Sequence, residues 1–240
     1  MRERPLVDVP KAAMLLLTLG LGLQLAWSVQ RPVRLAIAED LPPTPSLAAV
    51  RIAGFGEPVA LAKGLMLYLQ AFDSQSGISV PFTKLDYDRV EGWLERILQL
   101  DPPGQYPLFS ASLFYAQGVD ETRQRRMFEF IYRKFLDDPN RRWPWLAHVV
   151  IAAKHQLKDL PLARKYAQAI RVHAISNEVP YWAREMEIFI LQDMNEIESA
   201  KVLISGLLDS GRITDAREIR FLEKRFEELE SKASARQAGR

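Results

Sequence analysis

Three histidines, His148, His155 and His173, are the first side chains in the sequence whose type suits catalysis or metal binding. His148 and His155 are seven apart and would share a helix face, but about 10 Å would separate them along the axis, too far for one metal at ligand distances near ~2 Å. The sequence holds neither an HExxH nor an HxxxH spacing. No metal or other cofactor is therefore expected. Asp193 with Glu196, or Glu196 with Glu198, could form an acid–base pair, yet no neighbouring motif builds a pocket that would shift their pKa values. Three histidines without a nucleophile elbow define no Ser–His–Asp order. Gly54-Phe55-Gly56 starts like a dinucleotide fingerprint, but Val59 stands at the third glycine position, so the stretch reads as a helix stop and turn. The expectation is a non-enzymatic protein with no small-molecule substrate.

Charge narrows the choice further. ETRQRR (121–126) and DPNRR (138–142) are locally basic and could grip an acidic segment or a lipid headgroup, or they are solvated helix ends. The whole chain has 32 Lys plus Arg against 30 Asp plus Glu. Nucleic acid, which requires a clustered basic face, is not expected as a partner. The absence of cysteine removes disulfides, thiolate chemistry and Cys-type zinc sites, and it fits a reducing or an oxidising compartment equally.

The elements that would position any site follow from spacing. YPLF (106–109), WPWL (143–146) and VPYW (179–182) each place a proline just before a large aromatic. Pro107, Pro144 and Pro180 recur at intervals of 37 and 36, and Phe109, Trp145 and Trp182 at 36 and 37. Val90, Met127, Ala163 and Ala200 step by 37, 36 and 37 inside amphipathic runs, and LDP (100–102) and DDP (137–139) close two of those runs. A fixed offset between equivalent apolar residues is what stacked two-helix units require, because each buries one face only against its neighbours. Proline costs nothing in a first helical turn, so Pro144 is expected to start a helix with Trp145 as its first core anchor.

RVEGWLERILQLDP (89–102), HQLKDLPLARKYAQAI (155–170) and LQDMNEIESAKVLISGLL (191–208) resemble second helices of tetratricopeptide repeats, with Ala163 and Ala200 at the small-residue position. Trp145 and Trp182 fit the large aromatic early in the first helix, and Phe109 holds the corresponding place one unit earlier. The resemblance covers about residues 87–208 and departs from the family in its longer period, in the missing Leu-Gly pair and in a one-residue phase shift at 122–139. It implies an all-α chain: a right-handed TPR-like α-solenoid over 47–230 with a C-terminal capping helix. It also implies a groove lined by the first helices, for which Tyr115, Lys154, Arg184 and Glu187 are the candidate partner-binding residues.

Caps and connections complete the reading. Ser46 caps a helix ending at Gly54, Pro58 begins another, and residues 73–86 form a longer loop. Asp215 and Glu218 form a capping box for a last helix whose apolar face is Ile219, Leu222, Phe226 and Leu229, and 231–240 is expected to be a disordered tail.

Before the repeats, residues 12–29 are uncharged and lie between Lys11 and Arg31, long enough as a helix to span about one bilayer core. They read as a transmembrane helix, with 1–11 a cytoplasmic tail and 30–46 a Pro-rich linker. A cleaved signal peptide is the rival, ending after AWS (26–28) or AIA (36–38), although Trp27 is bulky for such a site and AIA lies beyond two arginines. A short charged N-terminal tail left in the cytoplasm sends the C-terminal domain outside, into the periplasm of a bacterium. The expected protein is therefore a scaffold in the inner membrane whose partners are membrane or envelope proteins, or else a non-catalytic accessory subunit of an inner-membrane complex.

Overall fold

The computed structural model describes residues 10–30, 40–72, 74–75, 78–79, 81–211, 213 and 215–238. Two units divide the chain: Met1–Glu39 with Ser76–Ile78, and Asp40–Gln75 with Ser79–Arg240. In the first, the described helix is α1 (Lys11–Gln30), of which Lys11–Val29 is long and apolar enough to cross a membrane and has none of its surface buried. The expected tail 1–9 and linker stretch 31–39 lie outside the described residues.

The second unit is helical: α2 (Leu47–Ala53), α3 (Pro58–Ala71), α4 (Tyr87–Leu100), α5 (Tyr106–Ser110), α6 (Glu121–Asp137), α7 (Pro139–His155), α8 (Leu160–His173), α9 (Tyr181–Arg184), α10 (Met186–Asp193), α11 (Ile197–Asp209) and α12 (Ala216–Ala238). A π-helical turn, Ala111–Tyr115, extends α5. The extended elements among the described residues are β1 (Ser74–Gln75) and β2 (Ile78–Ser79), two residues each.

Helix starts are written in aspartates. Asp86 accepts the N–H groups of Asp88 and Arg89, Asp120 that of Arg123 at 3.0 Å, and Asp159 that of Leu162 at 2.9 Å. Each satisfies a donor that has no partner within the first turn. The donation from Leu162, with Arg125 nearby, holds the Asp159 carboxyl below the usual carboxylate range. Turns before α8 and α11 use Lys158 and Asn195, both left-handed at φ 54° and 65°. Phe55, at φ 47°, sits 96% exposed between Gly54 and Gly56 where α2 stops.

Helices pack on their neighbours in chain order: α3 on α4, α6 on α7, α7 on α8, α8 on α10, α10 on α11 and α11 on α12. Val90, Met127, Ala163 and Ala200 are all fully buried at these contacts. Side-chain ion pairs join these successive units across 35, 36 and 32 residues. Glu91 accepts from Arg126 at 2.7 Å, Glu129 from Lys165 at 3.0 Å, and Glu196 from Arg164 at 3.0 Å, so α4, α6, α8 and the start of α11 are stitched in series. Gln70 donates to Tyr106 and Asn140 accepts from the Ser176 N–H, each across 36 residues.

The WPW stretch belongs to this stitching. Helix α7 begins at Pro139, not Pro144, because Asp138-Pro139 already supplies a proline for the first turn; Pro144 lies inside the helix. Two residues apart on a helix point in nearly opposite directions. Trp145 turns towards the preceding pair, its ring edge-on to Phe109 at 5.5 Å and its indole N–H donating to Gln105 at 2.7 Å. Trp143 turns towards the following pair and meets Trp182 at 5.4 Å. Phe109 and Trp145 are only partly buried, with Leu108 and Leu146 beside them fully buried. Trp182 is 52% exposed and is not a core anchor; Ala183 takes the buried place.

Two further expectations are corrected. The last residues of the 30–46 stretch are seated on α4: Leu41 is fully buried, Arg89 donates to its carbonyl, and Trp93 donates to the Pro42 carbonyl at 2.8 Å. Gly92 permits this approach, since a Cβ there would stand 2.5 Å from the Thr44 hydroxyl oxygen. At the other end, α12 runs on to Ala238, so 231–238 is helical backbone; 231–238 holds neither Gly nor Pro to stop it.

Candidate functional site

The candidate groove residues do not form one surface. Tyr115 is buried, its carbonyl accepting from Tyr87 at 2.7 Å and its ring edge-on to Phe82. Glu187 is buried and accepts from Arg171 at 2.7 Å, with Arg164 at 3.7 Å, because two arginines of α8 converge on it. Neither can line an open groove. Lys154 is engaged by Asp193. Arg184 alone of the four reaches a cavity.

The other sequence candidates are likewise committed. Arg123, Arg125 and Arg126 are held by Asp120, Asp159 with Glu121, and Glu91 with Asp88. Arg142 is 4% exposed and donates to the carbonyls of Lys134 at 2.6 Å and Pro102 at 2.9 Å. The basic stretches thus serve packing. Burial lowers the pKa of His148, and His173 packs edge-on to Phe135. No group of three metal-ligating side chains occurs among the described residues.

Two openings of the helical unit have extensive apolar walls. One, about 460 Å³, lies between α3, the end of α4 and α5, lined by Met66, Leu67, Ile97, Tyr106 and Pro107. Its walls are apolar, and Leu67 and Tyr106 at its rim are 67% and 48% exposed.

The larger, about 830 Å³, lies between the end of α8, the α9–α10 junction, α11 and the start of α12. Val172, Ile175, Val202, Leu203 and Leu207 give it apolar walls, and Val172, Ile175 and Val202 are exposed at 49%, 63% and 72%. Gly206 on α11 leaves its side empty: an added Cβ would meet nothing within 4 Å. The lining also includes Arg184, Glu185 and Glu218. Glu185 and Glu218 are 5% and 6% exposed, and Glu185 Oε1 and Glu218 Oε2 have no hydrogen-bond partner.

Burial, reinforced by Glu218, pushes Glu185 up to about 7, with Arg184 opposing. Glu218 is raised by the same desolvation and opposed by Arg184. Asp215 accepts from the backbone N–H groups of Arg217, at 2.7 Å, and Glu218, the first half of the expected capping box, while Glu218 lines the cavity. Sequence reading missed Glu185 altogether. It lies 33 residues from Glu218 in a stretch with no motif, and only the packing of α12 brings the two together.

Comparison with protein-family models, with curated proteins and with solved structures finds no match for this chain.

Proposed function

We propose that this chain is a single-pass, membrane-anchored scaffold whose helix pairs form a right-handed TPR-like stack that holds a segment of another protein. In this reading α1 is an uncleaved anchor in the inner membrane, and the domain lies in the periplasm among envelope proteins. The observation that carries it is the side-chain pairing repeated across three successive junctions, Glu91–Arg126, Glu129–Lys165 and Glu196–Arg164. Such serial packing of equivalent units suits an extended binding surface, since each unit adds contact area without needing a closed core. The ion pairs occupy the side formed by α4, α6, α8 and the start of α11, while Tyr106, Phe114, Tyr181 and Trp182 of the alternate elements stay 39–52% exposed. Partly exposed aromatics are the residues that interfaces favour.

Purification of the full chain from membranes in mild detergent tests the reading. A variable set of bound proteins supports the scaffold. One constant stoichiometric partner assigns the chain to a membrane complex as a fixed subunit, with Gln24 of α1 available to hydrogen-bond a neighbouring span.

A further inference from the structure

We propose that the 830 Å³ pocket between α8, α11 and the start of α12 receives a lysine or arginine side chain of the partner segment. This rests on the reading of the chain as a segment-binding scaffold and adds the chemistry of one position in the segment.

Charge complementarity selects this occupant. Glu185 and Glu218 both line the cavity and are more than nine-tenths buried, and Glu185 Oε1 and Glu218 Oε2 lie beneath its surface without a hydrogen-bond partner. A buried carboxylate left unpaired is costly, and a cation placed on it removes most of that cost. Among the described residues, Arg184 is the guanidinium beside both carboxylates. Arg171 also borders the pocket but donates to Glu187 at 2.7 Å. With both carboxylates ionised, the described groups Glu185, Glu218 and Arg184 together carry one negative charge in excess. An anionic occupant would be repelled, and an apolar one would leave both carboxylates unpaired.

The walls select the rest of the side chain. Val202 and Leu203 rise from the floor to an exposed rim, so the occupant must be apolar along its length and charged only at its end. Lysine and arginine have that construction, with three or four methylenes below the cationic head. The pocket is also pH-sensitive. The charged groups facing Glu185 are Arg184 beside it, Glu218 from α12 and Arg171 from α8, and α11 contributes none to the lining. Since burial pushes Glu185 up to about 7, affinity for the cation falls as pH drops from 8 to 6.

The test is selection from a random dodecapeptide display library on the full chain in maltoside micelles at pH 8, compared among wild type, Glu185→Gln/Glu218→Gln and Gly206→Met. Methionine at 206 fills the pocket from a helix position with room for it. The expected result is a set of peptides with Lys or Arg at one fixed position, binding both variants at least roughly ten-fold more weakly, the least that loss of a buried charge pair gives. Selected peptides with no basic preference, or whose preference survives both variants, overturn the inference and leave segment binding intact. Failure of the wild type to retain any peptide overturns the segment-binding reading, and this inference with it.

Discussion

Replacing Glu185 by glutamine should stabilise the protein at alkaline pH and leave it unchanged in acid. Glutamine keeps the shape of the side chain and removes the charge. Burial raises the folded-state pKa of Glu185 from 4.5 to about 7, so the folded protein holds this proton more tightly than the unfolded chain does. Stability from such a group is fully present below pH 4.5 and is lost as pH rises towards 7. The shift is equivalent to about 3 kcal/mol, which wild type forfeits by pH 8 and Glu185→Gln does not. Urea unfolding of both full chains in the same detergent, at pH 5, 6, 7 and 8, reads this directly. The difference between them should grow from under about 1 kcal/mol at pH 5 to about 3 kcal/mol at pH 8. Glu218, also raised, leaves a residual slope of the same sign in the variant. His148, lowered by burial, costs stability only as pH falls below its ordinary 6.5, equally in both proteins, and cancels in the difference. A difference that stays flat with pH, or a variant less stable at pH 8, refutes the assignment of Glu185 as a buried, unpaired acid.

Three other outcomes follow from local geometry. Glu187→Ala should cost about 2 kcal/mol, because it takes the partner from the largely covered Arg171 while Arg164 keeps Glu196, whereas Lys154→Ala should cost at most about 1 kcal/mol; equal losses in thermal or urea unfolding contradict the placement of these residues. Lys158→Gly should raise stability by about 0.5–1 kcal/mol by relieving a left-handed residue at an exposed turn, and a loss would mean that the lysine side chain matters there. Gly92→Ala and Thr44→Ala should couple by about 1 kcal/mol in a double-mutant cycle, since the Cβ of one meets the hydroxyl of the other; additive effects would detach residues 41–46 from α4.

The parts of the fold visible in the sequence are those fixed by short-range rules. Capping aspartates precede amphipathic runs, and the spacing of Val90, Met127, Ala163 and Ala200 stands out because a small or apolar residue is required wherever two helices meet closely. What was not visible depends on partners far away in the chain. Trp182 and Trp145 look equivalent by position, yet Ala183 fills the core beside the first while Trp145 finds Gln105, 40 residues earlier, for its N–H. Tyr115 and Glu187 looked available for a groove because nothing local announces Phe82 over one ring or two arginines on one carboxylate. The Leu41–Thr44 stretch reads as a spacer from its prolines, and only Gly92 and Trp93 on α4 make a seat for it. The pocket carboxylates are the extreme case, since neither Glu185 nor Glu218 belongs to a motif that implies a cavity.

The central claim is that the repeat stack holds a protein segment on the open side of its helix pairs while α1 keeps it at a membrane. A photo-crosslinking amino acid placed at Val202, on the rim of the large pocket, and separately at Arg133, on the ion-paired side, tests both halves in intact cells followed by membrane fractionation. The account predicts a membrane-bound, full-length chain that crosslinks to protein from position 202, loses that product with Glu185→Gln/Glu218→Gln, and gives none from position 133. Equal products from both positions, none from position 202, or a soluble chain shortened at its N-terminus would contradict it.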